Sequence, residues 1–151
     1  MGRSSRGKRR ARFQIECLED RAVPATFGVP WGDARNLTLS FVPDGTTIAG
    51  HSSTLFQTLD ATGPTAAWQQ TILQAFQTWA RNANINIGVV PDGGQPLGVA
   101  GDPQHDPRFG DIRIAAQPMD PGTLAISVPN DPLVSSTLSG DVLIKIGRAH
   151  V

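Results

Sequence analysis

Few side chains of this 151-residue chain could coordinate a transition metal, and they are widely spaced. The three histidines are His51, His105 and His150, and no two of them have the spacing of zinc ligands. His51 and His105 lie in polar segments rich in Ser, Gly, Pro and Asp, so we expect both to be exposed to solvent. Cys17 is the only cysteine, which excludes an internal disulfide and a cysteine-based zinc cage.

Carboxylates are the main potential ligands in the body of the chain. Residues 22–144 contain ten Asp, no Glu and four basic residues, which gives this body a formal charge of −6. An acidic body rich in Gly and Pro is typical of an exported protein or a calcium binder, because Ca²⁺ prefers oxygen ligands. The same composition argues against a surface that binds nucleic acid. Gly-rich turns such as residues 92–94 lack the Lys and the spacing of a phosphate-binding loop.

The first 26 residues differ from that body. Six of the 13 basic residues fall within the first 12 positions, with no aromatic residue among the clustered Arg and Lys. We expect residues 1–26 to be a basic, disordered leader, with nucleic-acid binding as the less favoured alternative. Residues 18–25, Leu-Glu-Asp-Arg-Ala-Val-Pro-Ala, resemble the Leu-Glu-x-Arg-x-Val-Pro-Ala leader of many large surface or exported planctomycete proteins. This resemblance implies an extracellular or cell-surface location, and no apolar run reaches membrane-spanning length.

The elements that position the aspartates follow from the hydrophobic pattern. Strands are predicted over residues 37–42, 85–90, 110–115, 123–128 and from 141 onward, each bounded by turn residues. One helix is predicted over residues 66–82, with Thr65 as N-cap and Asn82 to Asn84 as its end. Its apolar residues form one stripe that we expect to pack in the core: Trp68, Ile72, Ala75, Phe76 and Trp79.

This order of elements predicts an α+β domain. A helix between the first two strands indicates a parallel β-α-β start with a right-handed crossover. The later strands continue it as a twisted mixed sheet, with the long helix packed on it. The segment between the first strand and the helix is interpreted as a polar connection.

In this order, the segments resemble the amino-terminal half of a matrixin-like metzincin domain. Residues 72–79 resemble the helix that bears the family's Ala-Phe-x-x-Trp, and residues 109–114 resemble its Ala-Asp-Ile-x-Ile strand. Residues 123–125, Thr-Leu-Ala, match the start of its edge strand. Residues 139–142, Ser-Gly-Asp-Val, resemble its Gly-Gly-Asp turn into the next strand, which lies near the Asp-Ile-x-Ile strand in the family fold. The resemblance covers residues 31–144.

The resemblance implies a secreted or surface zinc endopeptidase that acts on a protein or peptide substrate. In the family, a His-Glu-x-x-His helix and a further His supply the zinc ligands and the general base for the zinc-bound water. That helix would follow residue 144, and its motif is absent from these 151 residues. We therefore expect a domain truncated before the active-site helix, with no catalytic residue and no activity of its own. The alternative is a non-catalytic binding or structural module of a large exported bacterial protein.

The resemblance also implies a metal site within the half that is present. Asp111 and Asp141 match carboxylates that bind calcium in the family, and main-chain carbonyls near Thr137 and Ser139 would be further ligands. The alternative interpretation is that both aspartates only cap strand ends. A structural zinc is not supported, because Ile126 and Leu143 stand where the animal enzymes place zinc-binding histidines.

The last residues of the chain match the translation of a known DNA string. The string ATC GGA AGA GCA CAC GTC encodes residues 146–151 and reads as a common short-read sequencing adapter in one frame. A Lys145 codon of AAG would supply the two preceding adapter bases. We expect residues 145–151 to derive from this adapter, and His150 to be no ligand.

Overall fold

A computed structural model of the chain describes residues 28–147. Residues 1–27, which include the whole predicted leader, and residues 148–151 lie outside the described residues. The strands are β1 (Asn36–Phe41), β2 (Thr47–Ile48), β3 (His51–Ser52), β4 (Asn86–Val89), β5 (Ile112–Pro118), β6 (Ala125–Ser127) and β7 (Val142–Ile146). The α-helices are α1 (Leu55–Asp60), α2 (Thr65–Ala83) and α3 (Pro132–Ser135), and a 3-10 turn spans Ser136–Leu138.

Five strands form one mixed sheet in the order β4-β1-β5-β7-β6. β1 pairs in parallel with β4 and with β5, and β5 pairs in parallel with β7. β6 is antiparallel to β7 and occupies one edge of the sheet. The α+β class, the parallel β-α-β start and the mixed sheet are therefore confirmed.

The interpretation of the segment after β1 as a mere polar connection was wrong. It contains the β2-β3 hairpin and helix α1, which bury Ile48 and Leu55. The Asp44 carboxylate accepts hydrogen bonds from the N–H groups of Phe56 and Gln57 (2.9 and 2.8 Å) and so caps α1 from a distant turn. Elements this short bury too few apolar residues to produce a readable sequence period.

Helix α2 ends as predicted but begins differently. Asn84 adopts the left-handed conformation (φ 54°) that commonly terminates a helix. Pro64, not Thr65, occupies the N-cap position. The Thr65 hydroxyl donates instead to Asp60 Oδ1 (2.7 Å), which also accepts the Trp68 indole N–H (2.8 Å). This shared carboxylate fixes the junction between α1 and α2.

The apolar stripe of α2 is only partly buried. Trp68 is buried edge-on against Phe41 and Phe56, with ring centroids 5.4 and 5.2 Å away. Ile72 and Phe76 also pack against this core, but Trp79 is 77% exposed. In a helix of about 3.6 residues per turn, Trp79 lies about 60° from Phe76, on the side away from buried Ala80. The prediction that Trp79 and Ala75 lie in the core was wrong.

The sheet has apolar packing on both faces. The face toward α1 and α2 buries alternate residues of β1 and β5: Leu37, Leu39, Phe41, Ile112, Ile114 and Ala116. On that face the β7 residues Val142, Ile144 and Ile146 are only partly buried. The opposite face buries Val42, Ile48, Ala115 and Leu143. Among the described residues, no helix has the length and apolar character needed to cross a membrane.

Candidate functional site

Asp111 lies immediately before β5 and is almost completely buried (4% exposed). Its Oδ2 accepts the N–H of Thr38 on β1 (2.8 Å), and its Oδ1 accepts the N–H of His105 (2.6 Å). The Asp111 N–H in turn donates to the Thr38 hydroxyl (2.9 Å). Both carboxylate oxygens thus join β1 to the loop that precedes β5.

Asp141 lies immediately before β7 and is fully buried. Its Oδ1 accepts the N–H of Arg113 (2.9 Å), whereas Oδ2 is buried with no hydrogen-bond partner among the described residues. Burial raises the pKa of Asp141 to about 8, although the Arg113 hydrogen bond and charge act in the opposite direction. An uncompensated buried carboxylate oxygen is expected to bind a proton or a cation.

A buried ion pair adjoins Asp141, and the hydrophobic pattern and motifs did not predict it. Arg113 Nε and Nη2 donate to the two carboxylate oxygens of Asp92, both at 2.8 Å, and the two side chains are 1% and 0% exposed. The Ser40 hydroxyl also donates to Asp92 Oδ2 (2.7 Å). The Arg113 guanidinium lies 4.4 Å from the centre of the Phe109 ring. Arg113 therefore binds the loop between β4 and β5 to the sheet face opposite α2.

The only signal for this pair in the sequence is an arginine between two apolar strand residues, Ile112 and Ile114. Because successive strand residues point to opposite faces of the sheet, Arg113 was expected on the face opposite the helix. A charged side chain exposed to solvent on that face would need no partner. Its partner Asp92 stands in a Pro-Asp-Gly-Gly turn, whose composition is explained by turn geometry alone. Only the fold of the long loop brings the two together.

The same loop borders a surface cleft of about 540 Å³ lined by residues of segments 90–93 and 105–109. At its rim, Arg108 Nη2 lies 2.6 Å from Asp106 Oδ2. The hydrogen bond from the Arg108 side chain lowers the pKa of Asp106 to about 2. His105 is exposed, as predicted, and its Nε2 lies 3.6 Å from Asp33 Oδ2. His51 on β3 is also exposed, as predicted.

Residues 28–147 contain no group of three or more His, Cys, Asp or Glu side chains placed to hold a metal. Ile126 and Leu143, at the positions of the family's zinc-binding histidines, are direct cross-strand partners on β6 and β7. His150 and Cys17 lie outside the described residues.

The two aspartates predicted to bind calcium lie at the starts of neighbouring strands. Asp111 and Asp141 precede the adjacent strands β5 and β7, but their carboxylates bind the N–H groups of different residues. The Thr137 hydroxyl donates to the Val99 carbonyl, and the Ser139 hydroxyl accepts the Asp131 N–H (3.3 Å). Among the side chains of these four residues, Asp141 Oδ2 is the one buried atom that has no hydrogen-bond partner in the described part of the chain. A calcium ion shared by both aspartates stays a prediction.

No family model, no curated protein and no solved structure matches this chain.

Proposed function

We propose that this chain is the amino-terminal part of a matrixin-like, zinc-dependent endopeptidase that is secreted or attached to the cell surface. Its own residues build the sheet, the long helix and a candidate calcium site. The zinc ligands and the general base would come from a His-Glu-x-x-His helix that follows β7. Zinc bound there would activate a water for attack on the peptide bond of a protein or peptide substrate.

One observation carries this proposal. The resemblance assigns two histidines of one structural zinc site to positions 126 and 143, and the register pairs Ile126 directly with Leu143. Directly opposed residues of an antiparallel pair have Cβ atoms about 4.5–5.5 Å apart, close enough for two ligands of one metal. If the sequence match were accidental, there would be no reason for positions 126 and 143 to be neighbours in the sheet.

The sheet order supports the same assignment. The resemblance implies that the strand after residue 123 lies at an edge and that the Asp-Ile-x-Ile strand lies near the strand after Gly140. β6 is an edge strand, and β5 pairs with β7 from Ile114↔Val142 to Ala116↔Ile144. Both relations concern segments distant in sequence, so local patterning alone does not produce them.

The decisive experiment is to obtain the coding sequence downstream of Asp141 and to assay the complete protein. We expect His-Glu-x-x-His within a few tens of residues, and casein cleavage that is lost with a chelator or when the motif's Glu is replaced by Gln. The 151-residue chain is the matched control and should not cleave casein with or without zinc. A downstream sequence without the motif, or chelator-sensitive cleavage by the 151-residue chain, would contradict the proposal.

The second candidate is a non-catalytic binding or structural module that keeps this sheet and its long helix inside a large exported protein. The apolar pair Ile126 and Leu143 favours it, because apolar side chains stand where the resembled family places two ligands of one metal site. This candidate would be established instead if the complete protein contained the sheet and the helix but had neither the zinc motif nor peptidase activity.

A further inference from the structure

The outer edge of the sheet at β6 combines exposed apolar side chains with unpaired backbone groups. Leu124 is 84% exposed and Ile126 is 45% exposed. β6 is the last strand in the sheet order, so only its β7 side is paired within residues 28–147. An edge of this kind is a template for a further strand.

The hydrogen bonds with β7 show which backbone groups are available. Lys145 N–H donates to the Leu124 carbonyl (2.9 Å), which makes Leu124 a hydrogen-bonded position of the antiparallel pair. Ile126, two residues later, is the next such position. The N–H and C=O groups of Ala125 and Ser127 therefore point away from β7, and they have no partner in the described part of the chain.

The described chain begins beside this edge. Val29 N–H donates to the Asn130 carbonyl (2.6 Å), and Asn130 Nδ2 donates to the Val29 carbonyl (2.9 Å). Asn130 follows the end of β6 by three residues, a distance of about 10 Å along an extended chain. The leader is therefore tethered next to β6.

The leader contains one segment with the pattern of an edge strand. Residues 13–18 read Phe-Gln-Ile-Glu-Cys-Leu, with Phe13, Ile15 and Cys17 alternating with Gln14 and Glu16. Nine residues, 19–27, lie between Leu18 and Gly28, and the ten steps from one Cα to the next span up to about 33 Å. A short tether also gives the segment an effective concentration in the millimolar range at this edge.

We propose that residues 13–18 of the leader bind to the open edge of β6 as a sixth strand of the sheet. Their backbone exchanges hydrogen bonds with Ala125 and Ser127, and their apolar side chains cover Leu124 and Ile126. The proposal concerns the chain's own leader and does not depend on the proposed peptidase function. A second copy of the chain is the competing occupant of the edge.

Amide hydrogen exchange of the full chain tests the pairing. The N–H groups of Ala125 and Ser127 should exchange at least about tenfold more slowly than those of Ile87 and Val89, which face outward on the opposite edge strand β4. The variant with both Phe13→Ser and Ile15→Ser should remove this protection. Equal exchange at the two edges, protection that survives in the variant, or protection that grows with protein concentration would each overturn the proposal.

The single native cysteine allows an independent measurement. With Leu124→Cys, mild oxidation should rapidly join Cys17 to position 124 within one chain, seen as loss of free thiols in a monomer. Gly88→Cys is the matched control, because Gly88 is exposed and pairs with Thr38 on the same face of the opposite edge. Cross-linking at position 88 as fast as at position 124 would show that the leader has no preference for β6 and would overturn the proposal.

Discussion

Replacement of Arg113 by Met isolates the energetic role of the buried ion pair. Met keeps an unbranched apolar stem over Phe109 but removes the guanidinium that binds Asp92 with two hydrogen bonds of 2.8 Å. It also removes donors to the main-chain carbonyls of Gln95 and Pro96. The Asp92 side chain, 0% exposed, then loses its charged partner and keeps the Ser40 hydroxyl and the Gly94 N–H.

The expected cost follows from that geometry. Removing one partner of a buried ion pair destabilises a protein by about 3–5 kcal/mol, because the other charge remains buried. Total stabilities of small domains are about 5–15 kcal/mol. With a urea dependence of about 2 kcal/mol/M, the unfolding midpoint of Arg113→Met should fall by about 2 M.

Urea unfolding followed by tryptophan fluorescence measures this change. The double variant with Asp92→Leu and Arg113→Met should recover much of the loss, since no charge is left buried. Arg81→Met on the exposed face of α2 is the matched control and should change stability by less than about 0.5 kcal/mol. A loss below about 1 kcal/mol for Arg113→Met, or a double variant no more stable than the single one, would refute the reasoning.

The remaining predictions concern metal, pH and packing. Millimolar calcium should raise the melting temperature of the protein, and Asp111→Ala or Asp141→Ala should abolish this rise, whereas exposed Asp120→Ala should not; an unchanged response in both variants would remove the calcium site. In chelator, stability should fall as the pH rises from about 4 to 8, because the Asp141 pKa, raised from 3.8 to about 8 by burial, makes the folded state bind the extra proton over this range. Asp141→Asn should flatten this dependence of the urea midpoint, and an equal slope in the variant would contradict it. Trp68→Ala should cost about 3–5 kcal/mol, while Trp79→Ala should cost much less; equal losses in urea unfolding would show that Trp79 is buried.

The sequence predicted the parts of the fold that depend on long, repeated patterns. Alternation and turn residues located the five sheet strands, and the 3.6-residue period located α2, because each of these elements buries several regularly spaced side chains. It failed at Trp79, which lies at the flank of the apolar stripe and is exposed to solvent. It also failed at α1, which buries only Leu55 and is capped by Asp44 from outside the helix.

The candidate site was less predictable than the fold. Asp111 and Asp141 were identified only by resemblance, and their burial and adjacent strands depend on pairing between distant segments. The only local signal of the Arg113–Asp92 pair is an arginine between two apolar strand residues, and each partner is ordinary in its own segment. What joins them is the course of the loop between β4 and β5, which carries few apolar residues in any regular period.

The position of β1 between β4 and β5 has a consequence for how the protein is made. On a ribosome, β1 is among the first described elements to emerge, yet both of its neighbours are synthesised much later. Thr38 meets Asp111 across 73 residues and Ser40 meets Asp92 across 52 residues. Contacts at such separations close slowly, because a long loop must be ordered before any of them forms. Until β5 has emerged, the apolar strand Leu37–Phe41 has no completed sheet to join, so we expect late, post-translational folding and a nascent chain that depends on chaperones.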